Sequence, residues 1–213
     1  GKMYVIAGRP GVGKSAFSNQ LIFDILDVNK KKQNDLIVIY WSFEMPGEQQ
    51  ILRAGSKDTK LQTFDLLSVE KTLSTESFER YKQAVQRYKE YPMYFCSIPQ
   101  DMAIIKKVNE EMFLRHPSKT VLQKLNTVSK SCMWMQAKMQ SITILLSQLN
   151  RNIEQEYRAK QQYQPLLTDL FGGDSIGQDS HVVMMLQRPY DLYGITDSYC
   201  GQDPVGLLAC HVE

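Results

Sequence analysis

The chain has 213 residues and a mass of 24.5 kDa, is 43% hydrophobic and 23% charged, and has a mean hydropathy of −0.34. That balance excludes a disordered chain on one side and a membrane bundle on the other, and the length allows one large domain or two small ones. Lys and Arg number 25 against 23 Asp and Glu, a net charge of +2, so any nucleic-acid contact has to come from a local patch or loop. No apolar run approaches the ~18 residues of a membrane span, and GKMYVIAGRP lacks the order of a signal peptide. Cys96, Cys132, Cys200 and Cys210 are widely spaced, contain no CxxC pair, and are expected to be reduced and mostly buried. Cys210 beside His211 fits no standard zinc spacing, so no zinc site is expected.

Apolar runs alternate with amphipathic stretches, which predicts a parallel sheet with helices on both faces. Met3 to Ala7 (MYVIA) is a short apolar run ending in a glycine-rich turn. Phe17, Leu21, Ile22, Ile25 and Leu26 then mark one face of a helix. The loop NKKKQND leads into LIVIYW at 36–41, a run of buried-strand length. Ser74 to Tyr91 reads as a helix whose stripe is Phe78, Tyr81, Val85 and Tyr88. PMYFCSI at 92–98 is a predicted strand, followed by a helix over about 100–115. Val121, Leu125, Val128, Cys132, Met135 and Met139 mark a long helix, and ITILLS at 142–147 the next strand. The stretch 150–165 is polar and expected to be mobile, while VVMMLQ at 182–187 and GLLACHV at 206–212 read as two more strands. No repeat stands out, and a single three-layer α/β domain over 1–213 is the economical reading.

Gly8-Arg9-Pro10-Gly11-Val12-Gly13-Lys14-Ser15 fits GxxxxGK[ST] in full, between a predicted strand and a predicted helix. Glycines let backbone N–H groups turn around phosphate oxygens, and the following helix, entered through Ala16, adds its positive end. In this pattern Lys14 contacts the β- and γ-phosphates and the Ser15 hydroxyl is the Mg²⁺ ligand. The chain is therefore expected to bind a nucleoside triphosphate with Mg²⁺.

Four segments in order resemble the RecA-like motor domain of DnaB-family replicative helicases. They are AGRPGVGKSAF, YWSFEMPGEQQILR at 40–53, LLSQLNRNIEQ at 145–155 and TDLFGGDSIGQDSHVVMMLQRPYDLYG at 168–194. The resemblance implies a RecA-like P-loop NTPase fold with a mainly parallel central sheet flanked by helices. It implies an ATP-driven helicase motor that works as a homo-oligomeric, hexameric ring on single-stranded DNA in the cytoplasm, with primase or a loader as possible partners. Carried over by position, Glu44 resembles the carboxylate that polarises the attacking water, and Gln148 the γ-phosphate sensor. Arg53 resembles a nucleotide-contacting arginine, and Arg188, with Tyr190 and Tyr193, falls where the family reaches toward the base or a neighbouring subunit. By their residue types alone, Glu44 could equally be an N-terminal helix charge and Arg53 a solvated helix residue, a Gln after a strand is more often an ordinary loop residue, and surface packing explains Arg188, Tyr190 and Tyr193 as well.

Two departures stand out. Where the family carries Arg-Glu-Ser-Gly in a DNA-lining loop, this sequence has Phe171, Gly172, Gly173 and Asp174. The glycine N–H groups could hold a phosphate and Phe171 a sugar or base, or the segment could be a glycine turn beside a core Phe. The family's apolar strand ending in a Mg²⁺-supporting Asp has no counterpart, because only His116-Pro117-Ser118-Lys119 separates two predicted helices. A stretch is therefore expected to be missing near Lys119–Thr120, and the collar domain and trans-acting finger segment of the family are likewise expected to lie outside the sequence. Two rival functions fit the same loop: a RecA/RadA-type recombination ATPase, and a nucleotide-gated assembly or loader module with little hydrolysis.

Overall fold

The computed structural model describes residues 1–32, 36–42, 45–67, 73–97, 129–130, 132–133, 136–137, 140–171 and 174–213. Its elements are β1 (Lys2–Gly8), α1 (Lys14–Lys32), β2 (Val38–Ser42), α2 (Gly47–Thr59), α3 (Thr63–Leu67), α4 (Thr75–Tyr88), β3 (Met93–Ser97), β4 (Ile142–Gln148), α5 (Asp174–Asp179), β5 (Val182–Gln187), α6 (Pro189–Tyr193) and β6 (Ala209–Val212). Each predicted strand is present within a residue or two, except that the last is shorter than 206–212. The helix expected over 100–115 lies outside the described residues, as does most of the one over 121–139. The chain forms two compact units, Gly1–Ser15 with Ser118–Glu213, and Ala16–Pro117.

The first unit is built on β1. It is parallel to β4 on one side and to β5 on the other, and β6 adds antiparallel to β5, giving the order β4-β1-β5-β6. Strands buried on both faces read as unbroken apolar runs, which is why MYVIA and VVMMLQ are legible as strands. Met3, Val5 and Ala7 point into one core with Leu149, Ile153, Leu170, Ile176, Val183 and Met185, while Ile6 and Leu186 are buried on the opposite face. The segment 150–165 differs from its expected mobility. It forms 3-10 turns at Arg151–Glu154 and Glu156–Gln161 that bury Ile153 and the guanidinium-bearing Arg158. Most of its polar residues face solvent, but Arg158 is buried and paired within the unit.

The second unit pairs β2 with β3 in parallel, from Val38↔Met93 to Ser42↔Ser97. Its core joins Ile22, Phe23 and Leu26 of α1 to Ala54, Tyr88 and Tyr91, with the Phe23 and Tyr88 ring centroids 4.6 Å apart. The tyrosine hydroxyls keep partners at the edge of that core, Tyr88 donating to Asp58 and Tyr91 to Asp27. The buried face of α1 is Ser18, Asn19, Ile22, Phe23 and Leu26, not the predicted set with Phe17, Leu21 and Ile25. Two polar residues share that face because Asn19 donates 2.6 Å to the buried Gln50, so a stripe drawn through apolar residues alone is rotated. On α4 the stripe also fails in part: Phe78 is 53% exposed, and only Tyr88 is buried. Tyr81 meets α2 at Gly55, where a Cβ would lie 2.6 Å from the ring. Cys132 is buried as expected, but Cys200 and Cys210 are exposed free thiols, because they lie outside the apolar core of their unit.

A polar knot closes the far edge of the first sheet. The buried Tyr199 hydroxyl lies 2.5 Å from Gln187 Oε1 and 2.8 Å from His211 Nε2, and Gln187 in turn donates to the Gln162 carbonyl. Burial holds the His211 imidazole below its ordinary value, opposed only by the nearby Glu213 carboxylate. The unfolded chain therefore binds this proton more readily than the folded one, so acidification below an unfolded imidazole value of about 6.5 favours unfolding. Thermal denaturation followed from neutral pH down to about 5.5 should show a falling Tm, and His211→Gln should flatten that fall.

Candidate nucleotide site at the end of β1

Residues 8–15 leave β1 as a tight loop and enter α1 at Lys14. The backbone of Gly13 has φ +103°, a conformation that side-chain-bearing residues avoid, and Gly11 is likewise at φ +80°. Between them Val12 is fully buried and its N–H bonds to the Arg9 carbonyl at 3.3 Å, so the loop is pinned at its centre. The first turn of α1 has no acidic residue, leaving the positive end of the helix unopposed, and Lys30, Lys31 and Lys32 sit at its negative end. The Lys14 ammonium lies over the loop, donating to the Gly8 carbonyl at 2.9 Å and the Arg9 carbonyl at 3.2 Å. The Lys14 ammonium and the N–H groups of the loop concentrate positive charge at the carboxyl edge of a parallel sheet, where α/β folds bind phosphorylated ligands.

Two arginines tie the loop to its surroundings, Arg188 from outside it and Arg9 from within. Arg188, just beyond β5, donates through Nε to the Val12 carbonyl at 3.0 Å and through Nη1 to Asp191 at 3.1 Å. Arg9 donates to the Leu149 carbonyl at 2.9 Å and meets Glu154 at 2.6 Å. The strand register sets Gln148 beside Gly8, with its side chain at the exposed end of β4. The Gln148 carbonyl accepts from Phe171 N–H at 2.8 Å, and Asn150 N–H donates to the Asp169 carbonyl at 2.7 Å. Arg158 and Asp169 then form a buried, two-armed ion pair at 3.1 and 3.0 Å, and Asp169 Oδ2 also accepts from Leu166 N–H. Tyr163 stacks on Tyr193 with ring centroids 4.7 Å apart, and burial, reinforced by Glu154, pushes the Tyr193 hydroxyl up to about 12. Tyr193 thus packs against its own chain.

Of the predicted site residues, the structure brings together Gly8 to Ser15, Gln148 and Arg188 in one unit. Ala16 and the exposed Arg53 belong to the other unit. Glu44, Gly172 and Gly173 lie outside the described residues. Phe171 is 51% exposed rather than a core residue, and Asp174 opens α5. Sequence reasoning missed Glu154, Arg158 and Asp169; the only signal was charge of both signs within a segment flanked by apolar strands. Among the described residues no group of three His, Cys, Asp or Glu could hold a metal ion, and no helix is long and apolar enough to cross a membrane. A phosphate-loop Mg²⁺ takes a Ser or Thr hydroxyl with substrate phosphates and water, and Ser15 offers a donor of that type.

A glycine-rich loop between β1 and α1, a largely parallel sheet and a polar residue at the end of the adjacent strand define a RecA-like P-loop NTPase fold. Residues 1–202 match the DnaB-like helicase C terminal domain family, and the chain belongs to that family. Relatives include a probable replicative DNA helicase of Trieres chinensis, 25% identical over 206 residues, covering 87% of this chain and 43% of that protein. A probable plasmid replicative DNA helicase of Chlamydia trachomatis is 26% identical over 212 residues, with 88% and 43% covered. The replicative DNA helicase DnaB of Helicobacter pylori strain J99 is 22% identical over 209 residues, with 89% and 40% covered. The chain thus spans less than half the length of these relatives. Its fold is similar to that of a solved ATPase domain, with TM-score 0.74, 18% identity and 99% and 80% of the two chains covered. It is equally similar, at TM-score 0.74 and 18% identity, to a DnaB-like replicative helicase described with its interactions with primase, covering 99% of this chain and 54% of that one.

The buried pair gives a stability test. Removing one partner leaves the other charge buried and unpaired, so Arg158→Ala should destabilise the chain by about 3–5 kcal/mol in urea denaturation. The double change Arg158→Met with Asp169→Leu should recover part of that loss, since the Leu166 N–H then remains without its acceptor.

Proposed function

We propose that this chain is the ATP-hydrolysing motor domain of a replicative DNA helicase, with residues 1–213 acting as one motor domain in a hexameric ring of identical subunits. The observation that carries the reading is a complete phosphate loop in a member of this family, with Gln148 in register beside Gly8. Lys14 moves from its loop carbonyls to the β- and γ-phosphates, and the N–H groups at the start of α1 take the remaining phosphate charge. Ser15 holds Mg²⁺, which neutralises charge on the phosphates when bound. Glu44 orients the attacking water, and Gln148 senses the γ-phosphate while its backbone holds Phe171. Arg188 keeps the phosphate loop in shape through Val12, and Arg53 contacts nucleotide. Single-stranded DNA is the track, met by Phe171, Gly172, Gly173 and Asp174, and this contact is salt-sensitive. Primase or a loader are the partners, and the cytoplasm is the compartment.

The deciding measurement is ATP hydrolysis by the complete protein with and without single-stranded DNA. Stimulation by DNA supports the motor; binding of ATP without stimulated turnover replaces it with a nucleotide-gated assembly module. Lys14→Ala should reduce turnover by about 10²-fold or more, as expected for loss of a cation aimed at developing phosphate charge. Gln148→Ala should bind ATP within a few-fold of the parent but lose the stimulation by DNA, read as a change in kcat with KM for ATP little altered.

A further inference from the structure

Between Lys14 and Phe171 runs a path of bonds to which Arg9 and Glu154, given no hydrolytic role above, add a side-chain link. The Gly8 carbonyl accepts from both Lys14 Nζ at 2.9 Å and Leu149 N–H at 3.3 Å. Leu149 forms an antiparallel bridge with Leu170, and the neighbouring Gln148 carbonyl holds Phe171 N–H. Arg9 reinforces the same junction from the side, through the Leu149 carbonyl and Glu154, the last residue of the turn Arg151–Glu154 that Asn150 caps.

We infer that Arg9 and Glu154 form a latch by which occupancy of the phosphate loop sets the order of residues 149–171. Arg9 is a positioning residue in this scheme, acting through Glu154 and the Leu149 carbonyl. A triphosphate competes with the Gly8 and Arg9 carbonyls for the Lys14 ammonium, so binding changes the load on the two loop residues that hold the end of β4. The two ion pairs of the segment divide the labour. Arg158–Asp169, with side chains 5% and 3% exposed, is a permanent brace; Arg9–Glu154, with side chains 14% and 45% exposed, meets water on its carboxylate side and can open and close there. The inference rests on the nucleotide-binding reading above and adds the route by which binding is reported to the Phe171 loop.

Hydrogen exchange read by mass spectrometry on the complete protein, with and without Mg²⁺ and a slowly hydrolysed ATP analogue, tests it. In the parent, nucleotide should slow exchange over 150–171. Glu154→Ala should keep the unliganded Tm and bind the analogue within about fivefold, the most an exposed ion pair contributes, yet lose that slowing. Glu154→Asp should restore part of it, which a generally loosened loop would not do. Full nucleotide-dependent slowing in Glu154→Ala, or its absence in a parent that binds the analogue, overturns the latch alone. A parent that binds no nucleotide overturns the nucleotide reading and the latch with it.

Discussion

The parallel pairing of β1 with β4 and β5 sets where the phosphate loop, Gln148 and Arg188 stand. Because Gly8 is level with Gln148 on one side and Leu186 on the other, the phosphate loop, the end of β4 and Arg188 beyond β5 converge at a single edge of the sheet. A shift of one residue would exchange the two faces of β1, sending Met3, Val5 and Ala7 out of one core and Ile6 into it. The apolar faces thus hold the register, and the register holds the chemistry. Nothing at the phosphate loop needs a separate device to find its neighbours.

Charge is used in this unit as a fastener at two strengths. The arginine of the phosphate loop and the arginine of the 3-10 turn are of the same residue type and each faces one carboxylate, yet they differ in water access. Desolvation makes the inner pair costly to break and costly to have formed, so its net worth is in shape rather than in raw stability. Solvent weakens the outer pair and leaves it reversible. A polar segment between two apolar strands is thus ordered by such pairs together with the one apolar anchor, Ile153, that it sends into the core.

What the sequence reveals follows from how local each signal is. The strands β1, β4 and β5 and the loop at 8–15 are legible because an apolar run or a fixed spacing needs no partner to be recognised. The face of α1 is misplaced because Asn19 and Gln50, 31 residues apart, satisfy each other in the interior, and no periodicity announces that. Residues 150–165 read as mobile for the same reason: Arg158 and Asp169 are polar until they are seen together. Placing Gln148 beside Gly8 lies between these cases, since the two are far apart in the chain; only the resemblance to a known fold brings them together before the structure does.

Phe171 is tied to β4 by its N–H on the Gln148 carbonyl, and its ring stands about half in solvent. The attachment is therefore made in the main chain and is blind to which side chain occupies the position. Such a junction separates the mechanical connection from the identity of the tip, so that the residue facing outward can drift among arginine, phenylalanine or others without loosening the loop. The resemblance implies an arginine where this sequence has Phe171; that replacement alters the exposed side chain and leaves the main-chain bond to β4 available. Tolerance to substitution at position 171 is thus a physical consequence of a bond made by the backbone rather than by the side chain.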